Sequence, residues 1–282
     1  MPKLSIIMPA RDAGGTLRAA IVSTLRAAPV DSELLVYDDA STDDTARIVE
    51  EHRRADGRVK LVSGPSGEGN IGPARARNRL IAESDSKYVA AMDADDVCLP
   101  HRFFRIDRRL DRCDLTFAPI IRFAGKKILH YPRPAPLSAE ALPLALLTIN
   151  PLPQSTMIAR RSQNSGQLSY KDGPAQDYEL WLRLCSEGAR ITFTSAPTVL
   201  YRHHSGQSTQ RADYEERVRR SESIHKSYDA LSERLGLPVI RKLERQELKR
   251  IIEEKIANLA SPKDRNNLLR LASSSYAFPL SG

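Results

Sequence analysis

The sequence predicts an α/β fold: a mostly parallel sheet flanked by helices, followed by a helical appendage. Three observations carry this. Short apolar runs alternate four times with amphipathic stretches before residue 100. The runs end at Pro9, Asp38-Asp39 and Asp93. From Asp213 onward the pattern is helical and highly charged. Strands buried on both faces read as unbroken apolar runs, and parallel neighbours need crossover helices, so this rhythm implies a sheet covered on both sides.

The elements follow in order. Leu4–Met8 is the first strand, and Thr16–Leu25 carries Leu17, Ile21, Val22 and Leu25 at helical spacing. Glu33–Tyr37 is the second strand; Asp43–Glu51 is a helix with Ser41 or Thr42 as its N-cap. Val59–Val62 is the third strand, Pro73–Glu83 a helix opened by Pro, and Tyr88–Met92 the fourth strand. Past residue 114, Leu115–Phe123 and Lys127–Tyr131 read as strands around Gly125, Ser138–Leu147 as a short helix and Ser155–Ala159 as a strand. Gln176–Glu187 is an amphipathic helix; Arg190–Thr194 and Thr198–Tyr201 are strands. Ile240, Leu243, Leu248, Ile251, Ile252, Ile256 and Leu259 form an apolar stripe on the last helices, suited to a homo-oligomer contact, a cover for an acceptor groove or a membrane contact. A boundary is expected near residue 210, with an α/β unit over 1–210 and a charged helical tail over 211–282.

Composition narrows the function. With 282 residues, 41% hydrophobic and 28% charged, the chain is globular and long enough for one large domain. Its 43 Lys and Arg against 35 Asp and Glu favour anionic partners. Three widely spaced cysteines exclude a disulfide framework or zinc ribbon. No signal peptide is expected, and the longest apolar run, Leu142–Ile149, is broken by Pro143 and too short to span a bilayer. A cytoplasmic protein is expected, at most peripheral at the inner membrane face. Arg102, Arg105, Arg108, Arg109 and Arg112 read as a solvated helix face, or more sharply as a surface for anionic lipid or a phosphate-bearing acceptor. Nucleic acid is not an expected partner, since basic residues lack interleaved aromatics.

Chemistry concentrates at the strand ends. Ligands of parallel α/β sheets bind beyond the carboxyl ends of the strands. Three ends here carry Pro9-Ala10-Arg11-Asp12, Asp38-Asp39 and Asp93-Ala94-Asp95-Asp96. So many carboxylates at one rim repel one another unless a cation or hydrogen-bond donors hold them, and a hard divalent ion sharing a phosphate ligand is the natural occupant.

The segments SIIMPARDAGGTL, VYDDASTDDT, GNIGPARARN and AAMDADD, in that order and spacing, resemble family 2 glycosyltransferases of the GT-A fold; DGPAQDYELWLRL and YRHHSGQS extend the match over residues 3–210. The resemblance implies a GT-A fold and an inverting, non-processive transfer of sugar from a nucleoside diphosphate, typically UDP, to a hydroxyl on a cell-surface polysaccharide or lipid-linked glycan. It implies that Pro9, Ala10, Arg11 and Asp12 line base and ribose, and that Asp39 accepts a hydrogen bond from the base. Gly72, Arg75 and Arg77 pass the nucleotide, with Asp93 and Ala94 in the donor site. Asp95 and His204 would hold Mn²⁺ or Mg²⁺, and Asp96 would face donor sugar or acceptor. Asp177 matches the catalytic base; Gln176 stands where the family has Glu. Trp181, one turn beyond Asp177, is an acceptor platform or a core residue. Asp12 and Arg11 depart from the family's usual Asn or Glu and Tyr.

Rival readings are weaker. Gly67-Glu68-Gly69-Asn70-Ile71-Gly72 imitates a dinucleotide fingerprint, but four residues separate it from the strand and two α/β units precede it. A sugar-nucleotide pyrophosphorylase would need a Gly-rich phosphate loop after the first strand. A catalytically inactive glycan-binding or scaffold protein conflicts with the retained Asp93, Asp95 and Asp177. His203 and His204, adjacent on a strand, are expected to face opposite sides, so only one can serve an ion.

Overall fold

The computed structural model describes residues 2–65, 69–132, 135–161, 168–204, 206–207, 212–238 and 245–273. The main sheet is built on four parallel strands, β1 (Leu4–Ala10), β2 (Ser32–Asp38), β3 (Val59–Val62) and β4 (Tyr88–Ala91). Beyond β4 lie β9 (Ile158–Arg160), antiparallel to it, then β6 (Leu115–Phe117) and β10 (Ile191–Phe193); the full order is β10-β6-β9-β4-β1-β2-β3. A second sheet has the order β5-β11-β7-β8, from Val97–Cys98, Val199–Arg202, Ile120–Ala124 and Lys127–His130.

Both faces of the main sheet are covered, as its unbroken apolar strands require. Alternation along β1 sends Ile6 and Met8 to one core with Leu17 and Ile21 of α1 (Leu17–Ala27) and Ile48 and Val49 of α2 (Thr45–Ala55). Ile7 faces the other core, shared with Leu80 of α3 (Gly72–Glu83), with α5 (Leu142–Leu146), and with Leu180, Trp181 and Leu182 of α6 (Gln176–Ser186). Each fully buried aliphatic side chain contributes about 1.5–3 kcal/mol relative to exposure.

Four differences from the sequence reading have physical causes. The expected strand Leu115–Phe123 divides at Ala118-Pro119 into β6 and β7, which belong to different sheets. Pro119 has no N–H for a ladder, so the chain leaves one sheet there and enters the other. The two-residue β5 carries no periodicity long enough to read. The arginines from 102 to 112 do not share a helix face. Only Ile106–Leu110 is helical (α4), Arg105 has a left-handed φ of 54°, Arg102 is fully buried, and Arg105, Arg108 and Arg112 are exposed. Its guanidinium donates to the carbonyls of Ala91 and Met157 and lies against Met92 Sδ, bracing the end of β4 from below.

The fourth concerns the last helices. The expected boundary at 210 falls among residues outside the described ones. Beyond it, α7 (Tyr214–Arg219), α8 (Glu222–Arg234), α9 (Arg245–Ala257) and α10 (Pro262–Ser273) send Val218, Ile224, Tyr228, Leu231, Ile252, Ile256 and Leu268 into the same core as α5 and α6. The Tyr228 hydroxyl donates to the Leu147 carbonyl (2.7 Å), and Asp264 accepts the Ser138 N–H (3.2 Å). These helices are therefore not an independent tail. Of the apolar stripe, Ile252 and Ile256 are buried within the chain; Ile240 and Leu243 lie outside the described residues.

Candidate active site

Ala10 pairs with Asp38 and Ile7 with Ala91, so the carboxyl ends of β1, β2 and β4 open along one edge. Asp12 (φ 45°), Ala40 (φ 56°) and Ala175 (φ 45°) hold left-handed conformations in the loops there and before α6. Such strain costs on the order of 1–3 kcal/mol per residue and clusters at functional sites.

The rim has two parts. At β1 and β2 the loops clasp each other. Asp12 Oδ1 accepts the Thr42 N–H (2.8 Å) and hydroxyl (3.2 Å), and the Asp12 N–H donates to Ser41 Oγ (2.9 Å). Asp43 Oδ2 accepts the Gly14 N–H (2.8 Å), and Thr45 Oγ1 accepts the Ala13 N–H (2.8 Å). The Thr45 hydroxyl, with the Gly14 and Thr45 N–H groups, holds Asp43 below the ordinary carboxylate range. Asp39 is buried and accepts the N–H groups of Ile71 (2.7 Å) and Gly72 (2.9 Å) and the Asn70 amide (3.1 Å). It thus ties β2 to the start of α3, where Gly72 takes a φ of 82°. Asp38, one residue earlier and half-buried, accepts the Ser41 N–H (3.1 Å) through Oδ1. Pro9 is half-buried, Arg11 is exposed beside Asp12, and the buried Ala10 gives its carbonyl to the Asp39 N–H (2.8 Å).

The second part gathers around Asp93-Ala94-Asp95-Asp96. Arg77, nearly buried on α3, donates to Asp93 Oδ1 (2.8 Å) and stacks 5.5 Å from the centre of the buried Tyr170 ring. The buried Ser155 Oγ lies 2.7 Å from Asp93 Oδ2 and 2.6 Å from Asp96 Oδ2. Burial, reinforced by the charges of Asp95 and Asp93, pushes Asp96 well above the ordinary carboxylate range. Its Oδ1 accepts the Arg202 N–H (2.9 Å), while Arg202 Nε donates to the Asp95 carbonyl (2.8 Å). Asp96 is fully buried, so it supports the rim from beneath and does not itself face a sugar, a correction to its expected role.

Asp95 Oδ2 stands 2.8 Å from His204 Nε2. Burial and then Asp93 raise the Asp95 carboxyl, and the His204 hydrogen bond partly offsets this. His203 is exposed and gives its N–H to the Phe123 carbonyl (2.8 Å), so the two histidines do serve different surroundings. Ala94 is buried, its carbonyl accepting the Thr16 hydroxyl (3.0 Å).

Asp177 opens α6. It is half-buried, and Oδ2 accepts the Asn150 amide (3.3 Å). Burial raises its carboxyl; the Tyr178 N–H and the nearby Arg77 charge pull the other way. Arg77 feels both Asp93 and Asp177, which places the α6 carboxylate within electrostatic reach of the strand-end cluster. Gln176 is half-buried beside it, and the exposed Arg75 pairs with Asp172 (2.8 Å) ahead of α6. Trp181 is wholly buried, 4.7 Å from the Phe117 ring and 6.4 Å from Tyr170. It has no face for an acceptor and is a core residue.

Ser155, Arg202, Asn150, Tyr170 and Arg102 complete the site and were not among the candidates. Arg202 lies inside YRHHSGQS and was within reach; Asn150 opens a Pro-interrupted turn and Ser155 begins a run that reads only as a strand, so neither signals the site.

Among the described residues, no group of three or more His, Cys, Asp and Glu side chains is arranged to hold a metal ion. Asp95 and His204 do offer an adjacent oxygen and nitrogen. Mg²⁺ is commonly bound by one or two carboxylates and completes its shell with water and substrate phosphate, so the Asp95 carboxylate fits such an ion, with the His204 imidazole beside it.

A mostly parallel sheet with polar loops and acids gathered at the carboxyl edge of its strands is the architecture of an α/β ligand-binding domain. The sequence model of Glycosyl transferase family 2 matches residues 5–165, and the chain belongs to that family. The chain is similar to the succinoglycan biosynthesis protein ExoU of Rhizobium meliloti, 41% identical over 34% of this chain and 27% of that one. An uncharacterized glycosyltransferase of Haemophilus influenzae is 28% identical over 76% of this chain and 70% of its own length. The Escherichia coli UDP-Glc:alpha-D-GlcNAc-diphosphoundecaprenol beta-1,3-glucosyltransferase WfaP is 25% identical over 78% of this chain and 85% of its own. Residues 1–349 of S. aureus TarS, solved with UDP-GlcNAc, superpose with a TM-score of 0.61 at 18% identity, covering 96% of this chain and 91% of that one. The fold is GT-A, as the sequence motifs imply. Among the described residues no helix is long and apolar enough to cross a membrane.

Proposed function

We propose that this chain is an inverting glycosyltransferase that moves a sugar from a UDP-sugar to a hydroxyl of a cell-surface polysaccharide or lipid-linked glycan. The observation that carries this is the convergence of Asp93, Asp95, His204, Arg77 and Asp177 from four separate elements on one strand-end rim. The donor class is supported by TarS, solved with UDP and with UDP-GlcNAc, and by the UDP-Glc specificity in the name of WfaP. The acceptor class is supported by the diphosphoundecaprenol-linked sugar in that same name and by the succinoglycan biosynthesis assigned to ExoU.

The clasped β1 and β2 loops hold the nucleoside, with Pro9 and Arg11 lining base and ribose. Arg77 fixes Asp93 for the donor ribose or sugar. Asp95 and His204 would hold Mn²⁺ or Mg²⁺, which would supply charge neutralisation on the diphosphate worth several kcal/mol. Asp177 takes the acceptor hydroxyl proton as that oxygen bonds to the anomeric carbon. The bond from that carbon to the diphosphate breaks on the opposite face, its electron pair leaving with UDP, and the configuration inverts. A carboxylate so placed contributes about 10²–10⁴-fold. Its raised pKa makes Asp177 a stronger base than a solvated aspartate.

The test is UDP release from a panel of UDP-sugars with Mn²⁺ and a diphosphate-lipid-linked N-acetylglucosamine acceptor. Acceptor-dependent release that chelation abolishes and Mn²⁺ restores is expected. UDP-sugar binding without turnover on any acceptor would favour the inactive glycan-binding reading; release of sugar phosphate on adding pyrophosphate would favour a pyrophosphorylase.

A further inference from the structure

We infer that the hairpin formed by β7 and β8 is a membrane-surface anchor that seats the chain on an anionic phospholipid bilayer. From Lys126 through Tyr131 every side chain is exposed. Ile128 is 55%, Leu129 49% and Tyr131 64% exposed, and they stand beside Lys126, Lys127 and His130. Large apolar side chains this open, grouped in six residues, mark a contact surface.

Its chemistry selects the partner. The β7–β8 register shifts at Leu129, between the Phe123–Ile128 and Arg122–His130 pairs, which makes this edge irregular. Tyr131 is suited to the headgroup boundary, Ile128 and Leu129 to shallow immersion in it, and Lys126 and Lys127 to anionic headgroups, a combination that a bilayer surface satisfies. Pairing of β8 with a second copy is opposed by Lys127, since a charged edge strand resists edge-to-edge pairing.

The hairpin is also close to the rim. Ile128 lies opposite Phe123 on β7. The Arg202 guanidinium stacks 4.7 Å from the Phe123 ring, and Arg202 holds Asp95 and Asp96. A bilayer touching β8 therefore lies two side-chain layers from the acidic cluster, where a lipid-linked acceptor would present its sugar. That consequence rests on the function proposed above; the anchoring itself does not.

Vesicle sedimentation tests it with no donor or acceptor present, so its outcome is independent of transferase activity. The full chain is spun with vesicles of phosphatidylcholine alone or equimolar phosphatidylcholine and phosphatidylglycerol, beside the Ile128→Ser/Leu129→Ser and Lys126→Glu/Lys127→Glu variants. These positions are exposed, so both variants are expected to keep the wild-type Tm. Wild type is expected to sediment with anionic vesicles only, and less so as salt rises. Each variant is expected to lose at least roughly tenfold in partitioning. No binding, equal binding to neutral vesicles, or unchanged partitioning in both variants would overturn the anchor. So would light scattering showing a wild-type dimer that the serine variant dissolves.

Discussion

The two halves of the rim are both acidic, and they use their acids in opposite ways. At β1 and β2, Asp12, Asp39 and Asp43 spend their oxygens on backbone N–H groups and hydroxyls of neighbouring loops. Asp43 is accordingly shifted down. At β4 and α6, Asp95, Asp96 and Asp177 are crowded or buried, and all three are shifted up. A carboxylate met by donors is architecture; a carboxylate held near others with too few donors is stored electrostatic tension that a cationic or proton-donating ligand relieves. Counting acids cannot separate the two; their partners can.

The comparison breaks first at Asp95. Asp95→Ala is expected to abolish metal-dependent UDP binding, cutting transfer by about 10³-fold or more through loss of several kcal/mol of charge stabilisation. Calorimetry with UDP and Mn²⁺ giving wild-type affinity would contradict this. Next is Asp177→Asn, expected to keep UDP affinity while turnover falls about a hundredfold or more. The same variant should raise Tm at neutral pH. The sign follows from a folded pKa above the unfolded one: the native state gives up stability as pH rises through it, and asparagine removes that penalty. A Tm unchanged or lowered at neutral pH would show that Asp177 is not under tension.

A smaller effect is expected in the clasp. Asp39→Ala strands the N–H groups of Ile71 and Gly72 and should cost about 2 kcal/mol of stability, read by urea denaturation. If UDP affinity falls much further than that, Asp39 contacts the base directly and the division into two halves needs redrawing. The smallest effect is in pH dependence. Transfer by wild type should decline on acidification through the raised Asp177 pKa, above the ordinary aspartate value. Below that, the Asp43 clasp loses its stabilisation as pH falls through a lowered pKa, so loop order should outlast activity on acid titration. Simultaneous loss would merge the two regions.

Several features are legible in the sequence. The first four strands and three helices fall within a few residues of their expected bounds, because each strand is an unbroken apolar run and each helix carries one dominant period. Asp95 and His204 were paired by motif, and they stand 2.8 Å apart. Other features were closed to such reading. Pro119 reads as an interruption, but nothing local says that its two sides join different sheets. Arg102 looks like its exposed neighbours; its burial depends on the Ala91 and Met157 carbonyls arriving from β4 and the turn before β9. Ser155 acquires meaning only because that turn carries it between Asp93 and Asp96.

By itself the sequence determined the alternation of strand and helix, the both-sided burial of the sheet and the positions of the acids at strand ends. Those follow from short-range periodicity, which the chain carries residue by residue. Tertiary structure alone decided which acids are satisfied and which are strained, that Trp181 and the last helices belong to the core, and that an apolar hairpin stands open beside the rim. Each of these depends on which distant groups share a volume, and the free energy of a buried charge or an exposed leucine is set by that company.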